Sequence, residues 1–180
     1  MALIKFFAGI VPPPDIYNQI LSIQNQFGNN RLEPHITLRP PVVPLNKQQW
    51  VDTISRIAAA TQPFTIKLPG TGNFGSRVLF ISVEANQLFE LYNALIPALK
   101  PLEPVEKNQR EEKYHPHLTL GRAWCGFTKD DFAGMRKLAD DYLTTGNINF
   151  EVSAIRIYYK PDANKGFQLF KDVPLTATYE

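Results

Sequence analysis

Residues 34–38 read PHITL and residues 116–120 read PHLTL, identical but for Ile36 against Leu118. The second copy lies in the longer stretch EEKYHPHLTLGR (111–122), where His115 and His117 flank Pro116. The 180-residue chain has 3 histidines, so all of them fall in these two segments. In a β-strand, side chains two positions apart share a face. His35 and Thr37 therefore point the same way, as do His117 and Thr119. One His-x-Thr on its own says little, because threonine is ordinary strand material and an isolated histidine is usually structural. The recurrence carries the meaning.

The elements around the two copies recur as well. A strand over Leu3–Val11 ends at Pro12-Pro13-Pro14. Asp15 then caps a helix whose Ile16, Ile20, Ile23 and Phe27 fall on one face, until Gly28-Asn29-Asn30 stops it. EPHITLR (33–39) alternates as a strand and is closed by Pro40-Pro41. Asn46 and Gln49 have capping-box spacing ahead of a helix carrying Trp50, Ile54, Ile57 and Ala58. FTIKL (64–68) and RVLFISVE (77–84) read as strands joined by a glycine-rich loop. A helix from Asn86 carries Leu88, Leu91 and Leu95, and Pro97 interrupts its last turn. HLTLGR (117–122) is the next strand. Thr128 and Asp131 cap a helix with Phe132, Met135, Leu138 and Tyr142, and the strands FEVSAIRIYYK (150–160) and GFQLFKDV (166–173) close the chain. Strand, helix, Pro-His-x-Thr-Leu thus occurs twice. With no linker or low-complexity tract between the copies, this predicts two similar α+β lobes sharing one fold unit.

Composition narrows the function classes. At 44% hydrophobic and 20% charged residues the chain is of ordinary globular type, neither disordered nor fibrous. No apolar run approaches the ~20 residues that span a bilayer. The apolar start, MALIKFFAGIVPPP, is interrupted by Lys5 and lacks a small-residue cleavage site, so it reads as a first strand. A net charge of +2 is too small for a long nucleic-acid footprint, although it permits a local basic cleft suited to a phosphate or an RNA end. The single Cys125 rules out an internal disulfide framework and fits a reducing, cytoplasmic setting. GTGNFG (70–75) matches the dinucleotide-binding glycine pattern, but that pattern works only at the start of a helix. Here β-branched and aromatic residues follow, so the segment is expected to form a hairpin turn.

An imidazole gives or takes a proton near neutral pH, and a neighbouring hydroxyl donates to a phosphate oxygen. Two such pairs across a cleft make a symmetric acid–base site, suited to in-line displacement at phosphorus without a metal. Arg39, four residues after His35, falls on the His/Thr face by ideal alternation. It is either a bidentate phosphate clamp or a strand-end surface arginine. Arg122 has the opposite parity and joins the site only if Gly121 bends the chain. Tyr158, Tyr159 or Lys160 are weaker candidates for lining the site, as is Phe6 for stacking on a base. His115 precedes a proline, is biased to an extended backbone, and either rims the site or starts the strand.

The paired Pro-His-x-Thr-Leu motifs resemble those of the 2H phosphoesterase superfamily, in particular its LigT-like 2′-5′ RNA ligase / cyclic phosphodiesterase branch. FFAGIVPP near the N-terminus, the 82-residue interval between His35 and His117, and the late IRIYYKP extend the likeness along the chain. The resemblance implies an α+β, bilobal fold over residues 1–180: one domain of two intertwined, pseudo-symmetric lobes, with antiparallel-rich sheet and flanking helices around a central groove. It implies His35 and His117 as the acid–base pair, Thr37 and Thr119 as phosphate-binding residues, and no required metal or other cofactor. The expected substrates are RNA termini or cyclic nucleotides carrying a 2′,3′-cyclic phosphate, opened to a 2′-phosphate. Ligation or cleavage of 2′-5′ linkages is the related alternative, and a non-catalytic RNA-end binding module the rival of another class. The same reading expects a monomer without membrane association. A metal site built from the three histidines ranks last, because Pro116 makes a two-histidine clip awkward.

Overall fold

The computed structural model describes residues 4–28, 33–105, 113–162 and 164–178. The first strand, β1 (Lys5–Ile10), is buried on both sides from Phe6 onward. Phe6, Ala8 and Ile10 project to one side and Phe7 and Gly9 to the other, as strand geometry requires. Helices cover the Phe6 side. Phe6 packs on Trp50 of α2 (Lys47–Ala59), with ring centres 6.1 Å apart. Further along the same side, Gly121 faces Phe132 and Met135 of α4 (Lys129–Leu143).

Seven strands form one antiparallel sheet in the order β4-β5-β6-β2-β1-β8-β9. They are β2 (Ile36–Val42), β4 (Thr71–Phe74), β5 (Val78–Ser82), β6 (His117–Arg122), β8 (Ala154–Lys160) and β9 (Gln168–Pro174) beside β1. The smaller β3 (Phe64–Lys67) and β7 (Asn149–Val152) pair with each other, and an isolated bridge, Lys67↔Glu84, links them to the end of β5. At the centre the two His-x-Thr strands meet, β2 against β6, at the single pair Ile36↔Leu118. Both side chains are fully buried. A pseudo-dyad at this pair relates β1-β2 to β5-β6.

The helices cross over. α1 (Pro14–Asn25), which follows β1, packs against α4 and β6 of the second half, whereas α3 (Asn86–Leu99), which follows β5, packs against α2, itself set on β8 and β9. A helix from each half thus packs on elements of the other, and one apolar cluster of described residues draws on both halves. No described helix is long and apolar enough to cross a membrane.

The α+β reading holds, while several local expectations need correction. Asp15 lies in the first turn of α1 and does not cap it: Pro13 is the N-cap without a side-chain bond, and Pro14 starts the helix with its φ already set. Pro40 and Pro41 do not close β2, which runs through them to Val42. Both are exposed beyond the point where β2 leaves β6, and an unpaired edge does not need their missing N–H. The glycine-rich segment is itself strand β4, hairpinned to β5 around Gly75 at φ +55°. Gly72 makes this pairing close, because a Cβ there would lie 2.6 Å from the ring of Phe80. FEVSAIRIYYK splits at Ser153 into β7 and β8, which belong to different sheets. Pro97 stays inside α3 on an exposed face. The expected Gly28-Asn29-Asn30 helix stop lies partly outside the described residues, whereas Asn46 and Thr128 cap α2 and α4 as expected.

One buried polar unit fastens the helix side. The Glu103 carboxylate, 7% exposed, accepts from Arg39 Nε at 2.9 and 3.0 Å, from Arg39 Nη2 at 2.6 Å, and from the Trp50 indole N–H at 2.9 Å. A carboxylate this buried persists because all of its charge is met by donors. Replacing Arg39 by alanine strands it and is expected to cost about 3–5 kcal/mol in urea unfolding. Arg39→Met combined with Glu103→Leu should recover only part of this. The residue of the loss is the orphaned Trp50 N–H, about 1–3 kcal/mol. A single Arg39→Ala variant of unchanged stability would contradict the assignment.

Candidate active site at the pseudo-dyad

Both histidines are fixed in the same way. His35 Nδ1 lies 2.8 Å from the carbonyl oxygen of Glu33, and His117 Nδ1 lies 2.7 Å from that of His115. A carbonyl can only accept, so each Nδ1 must carry the proton and donate it. The neutral tautomer is thereby set, leaving each Nε2 a free lone pair with no hydrogen bond from any described residue. Extending the register of Ile36↔Leu118 by one residue places His35 opposite Thr119 and His117 opposite Thr37. Each hydroxyl is thus beside the other motif's imidazole. The histidines are diagonal neighbours, on the order of 7–8 Å apart along the backbone in a regular ladder.

The threonines are anchored from behind by the crossed helices. The Tyr114 hydroxyl donates to the Thr37 carbonyl at 3.0 Å, and the Gln24 side-chain amide of α1 donates to the Thr119 carbonyl at 3.0 Å. Tyr114 is held by Tyr92 of α3, stacked at 3.8 Å and nearly parallel. Gln24 is almost fully buried. Because β2 and β6 pair only once, these carbonyls lack a ladder partner there and a side chain supplies it.

Aromatic walls flank the imidazoles. Phe7 stacks on Tyr158 at 4.2 Å and packs against His35 at 5.3 Å, with Phe167 edge-on to Phe7 at 4.8 Å. Gly9 lets β2 approach: a Cβ there would sit 2.8 Å from the Ile36 carbonyl oxygen and 3.5 Å from the His35 ring. On the other side Phe74 and Phe80 pack against His117 at 5.0 and 5.2 Å. Behind His35, the Glu33 carboxylate accepts from Tyr158 Oη at 2.5 Å, Arg156 Nη1 at 2.9 Å and Tyr17 Oη at 3.2 Å. Arg156 is in turn paired with Asp172. This network fixes the residue whose carbonyl orients His35.

The two arginine expectations exchange places, for one reason. A bulge follows each threonine. β1 and β2 step from Gly9↔Thr37 to Ala8↔Arg39, passing over Leu38. β5 and β6 step from Phe80↔Thr119 to Leu79↔Gly121, passing over Leu120. An extra residue reverses the parity of everything beyond it. Arg39 is therefore turned to the helix side, into the Glu103 unit, and the expected phosphate clamp is corrected. Arg122 is turned to the histidine side. Phe6 and Tyr159 are also corrected: they pair across β1 and β8 on the helix side and pack with Phe170, while neighbouring Tyr158 takes the histidine side. His115 rims the site, exposed, 5.1 Å from Phe74.

Burial holds both imidazoles below the ordinary histidine value near 6.5. The bonds to Glu33 and His115 oppose this, and the Arg122 charge lowers both further. Among the described residues no group of three or more His, Cys, Asp or Glu side chains converges on a metal position.

Sequence reasoning missed Glu33, Gln24, Tyr114 and Phe80. Only Phe80 had a local signal, its parity within RVLFISVE; the others act through contacts between distant elements.

A family model described as the 2′-5′ RNA ligase superfamily matches residues 12–161. A Bacillus cereus (strain B4264) protein named "Putative phosphoesterase" is 28% identical over 113 residues, covering 61% of this chain and 63% of that protein, so the chain spans under two thirds of this relative's length. A crystal structure from Thermus thermophilus superposes with TM-score 0.69 at 16% identity, over 97% of this chain and 100% of the other. Escherichia coli LigT, crystallised with 3′-AMP, superposes with TM-score 0.64 at 20% identity, over 96% and 98% of the respective chains. Those two likenesses speak for the fold, and the family match for the lineage: the chain belongs to the 2′-5′ RNA ligase superfamily.

Proposed function

We propose that this protein is a phosphoesterase that opens 2′,3′-cyclic phosphates, on RNA ends or small nucleotides, by paired-histidine acid–base catalysis. The observation that carries the reading is the matched fixing of the two imidazoles, each donating from Nδ1 to a carbonyl and offering Nε2 on the same face. One neutral Nε2 takes a proton from the attacking water as its oxygen bonds to phosphorus. The other imidazole, protonated, gives its proton to the departing ribose 3′-oxygen as the P–O3′ bond breaks, leaving a 2′-phosphate. Thr37 and Thr119 donate to the non-bridging oxygens, and Arg122 balances their charge. That LigT was crystallised with 3′-AMP supports a ligand of nucleotide size. The pseudo-dyad favours a second reading in the same class, 2′-5′ ligation or cleavage, because reversing the reaction only exchanges the histidines' roles.

Hydrolysis of mononucleoside 2′,3′-cyclic phosphates and of short RNAs ending in one, assayed with and without chelator, tests this. His35→Ala and His117→Ala are each expected to lose about 10²–10⁴-fold in kcat. Thr37→Val and Thr119→Val should lose about 10- to 100-fold in kcat/KM. Full activity in either histidine variant would sink the mechanism, and RNA binding without turnover of any cyclic or 2′-5′ substrate would favour a binding module.

The pH dependence follows from the site. kcat/KM reports the free enzyme. Below the optimum the basic histidine becomes protonated; above it the acidic one loses its proton. With both values held below the ordinary 6.5, the maximum of kcat/KM is expected below pH 6.5. Arg122→Gln removes a charge that lowers both, so the optimum should move to higher pH while KM rises. A shift in the acid direction would contradict this placement of Arg122.

A further inference from the structure

β6 ends at Arg122 and passes into a short 3₁₀ turn, Ala123–Cys125, closed by Gly126 at φ +92°. The Ala123 amide donates to the Arg77 carbonyl at 2.8 Å, fastening the turn to the start of β5. Trp124 in the middle of the turn is 62% exposed, whereas Trp50, the other tryptophan, is fully buried. Two guanidiniums lie by the exposed indole: the Cζ atoms of Arg77 and Arg122 are each 5.8 Å from the ring centre. The turn thus presents a largely exposed indole with two guanidiniums set over its ring, beside the reacting site.

Resting on the phosphoesterase reading above, we infer that Trp124, Arg77 and Arg122 form a subsite for the nucleotide next to the reacting one, so that the substrate class is the end of a single-stranded RNA. The neighbouring base stacks on the indole and the backbone phosphate faces Arg77, the combination that single strands use on proteins. A protein partner would also favour tryptophan and arginine. Arg122, however, belongs to both features. The bulge at Leu120 aims it to the histidine side, and Trp124 follows two residues later. A ligand that reaches from the indole to a phosphate at the histidines uses Arg122 at both places, and a nucleic-acid strand does so by its own backbone.

The test compares kcat/KM for a short RNA ending in a 2′,3′-cyclic phosphate with that for a mononucleoside 2′,3′-cyclic phosphate, in wild type, Trp124→Ala and Arg77→Gln. The oligonucleotide preference of the wild type is expected to fall about 10- to 100-fold in Trp124→Ala, the range for a lost base–aromatic stack. It should fall less in Arg77→Gln, with a weakened salt dependence. An unchanged preference in both variants overturns the subsite. A readout without turnover separates this from the catalytic reading: a short RNA bearing a terminal 2′-phosphate should quench wild-type tryptophan emission but not that of Trp124→Phe, whose remaining indole is buried. Quenching without hydrolysis would remove the phosphoesterase reading and leave the subsite. Hydrolysis without quenching would do the reverse.

Discussion

The antiparallel contact of β2 with β6 at Ile36↔Leu118 is the constraint on which the rest depends. It makes the sheet continuous across the two halves, since β4-β5 attach beyond β6 and β1-β8-β9 beyond β2. It also brings residues 82 positions apart in the chain to adjacent places, with both histidines on one face and both apolar partners in the core. A one-residue slip would bury the imidazoles and expose Ile36 and Leu118. The burial of those two side chains therefore fixes the register that assembles the site. The crossed helices reinforce it, because α1 and α3 each sit on the opposite half and Gln24 and Tyr114 reach the carbonyls that the short ladder leaves unpaired.

Near-symmetry ends where the bulges act. Both strands insert a leucine after the threonine, yet the arginines behind them sit at different offsets, four residues after His35 and five after His117. The same parity reversal thus sends Arg39 inward and Arg122 outward. Glu103 and Trp50 complete the first outcome as a buried ion pair, and Trp124 completes the second as an exposed stack. A motif built twice thus has two different flanks: one closes into a buried ion pair and the other stays at the exposed surface.

The legible part of the sequence was whatever rests on period and repetition. Helices α2 and α4 announced themselves through caps and apolar spacing, α3 through spacing alone, and the α+β class through the repeat of strand, helix and motif. The resemblance to the 2H superfamily, drawn from the paired motifs, agrees with the family match. Prolines misled where edge strands tolerate them, as at Pro40-Pro41, and glycines where a neighbouring ring needs room, as at Gly72 over Phe80. Parity failed at Arg39 and Arg122, because alternation counted along one strand cannot see a bulge, and among Tyr158, Tyr159 and Lys160 the sequence could not decide which side the strand presents. Glu33 was invisible for another reason. Its role is defined by Tyr17, Tyr158 and Arg156, up to 125 positions away.

The proline of each motif has a physical reason that pattern alone did not supply. Each histidine donates to the carbonyl two residues before it, and Pro34 or Pro116 occupies the position between. A proline fixes its own φ and holds the preceding residue in an extended conformation. Glu33 and His115 are those preceding residues, so the accepting carbonyl is set by the chain before any tertiary contact forms. The tautomer of each imidazole is therefore encoded within Glu33-Pro34-His35 and His115-Pro116-His117, and the fold has only to bring the two units to a common face. His115, which first looks like a partner for its neighbour, serves through its backbone: its carbonyl orients His117, while its ring packs against Phe74 and Phe80.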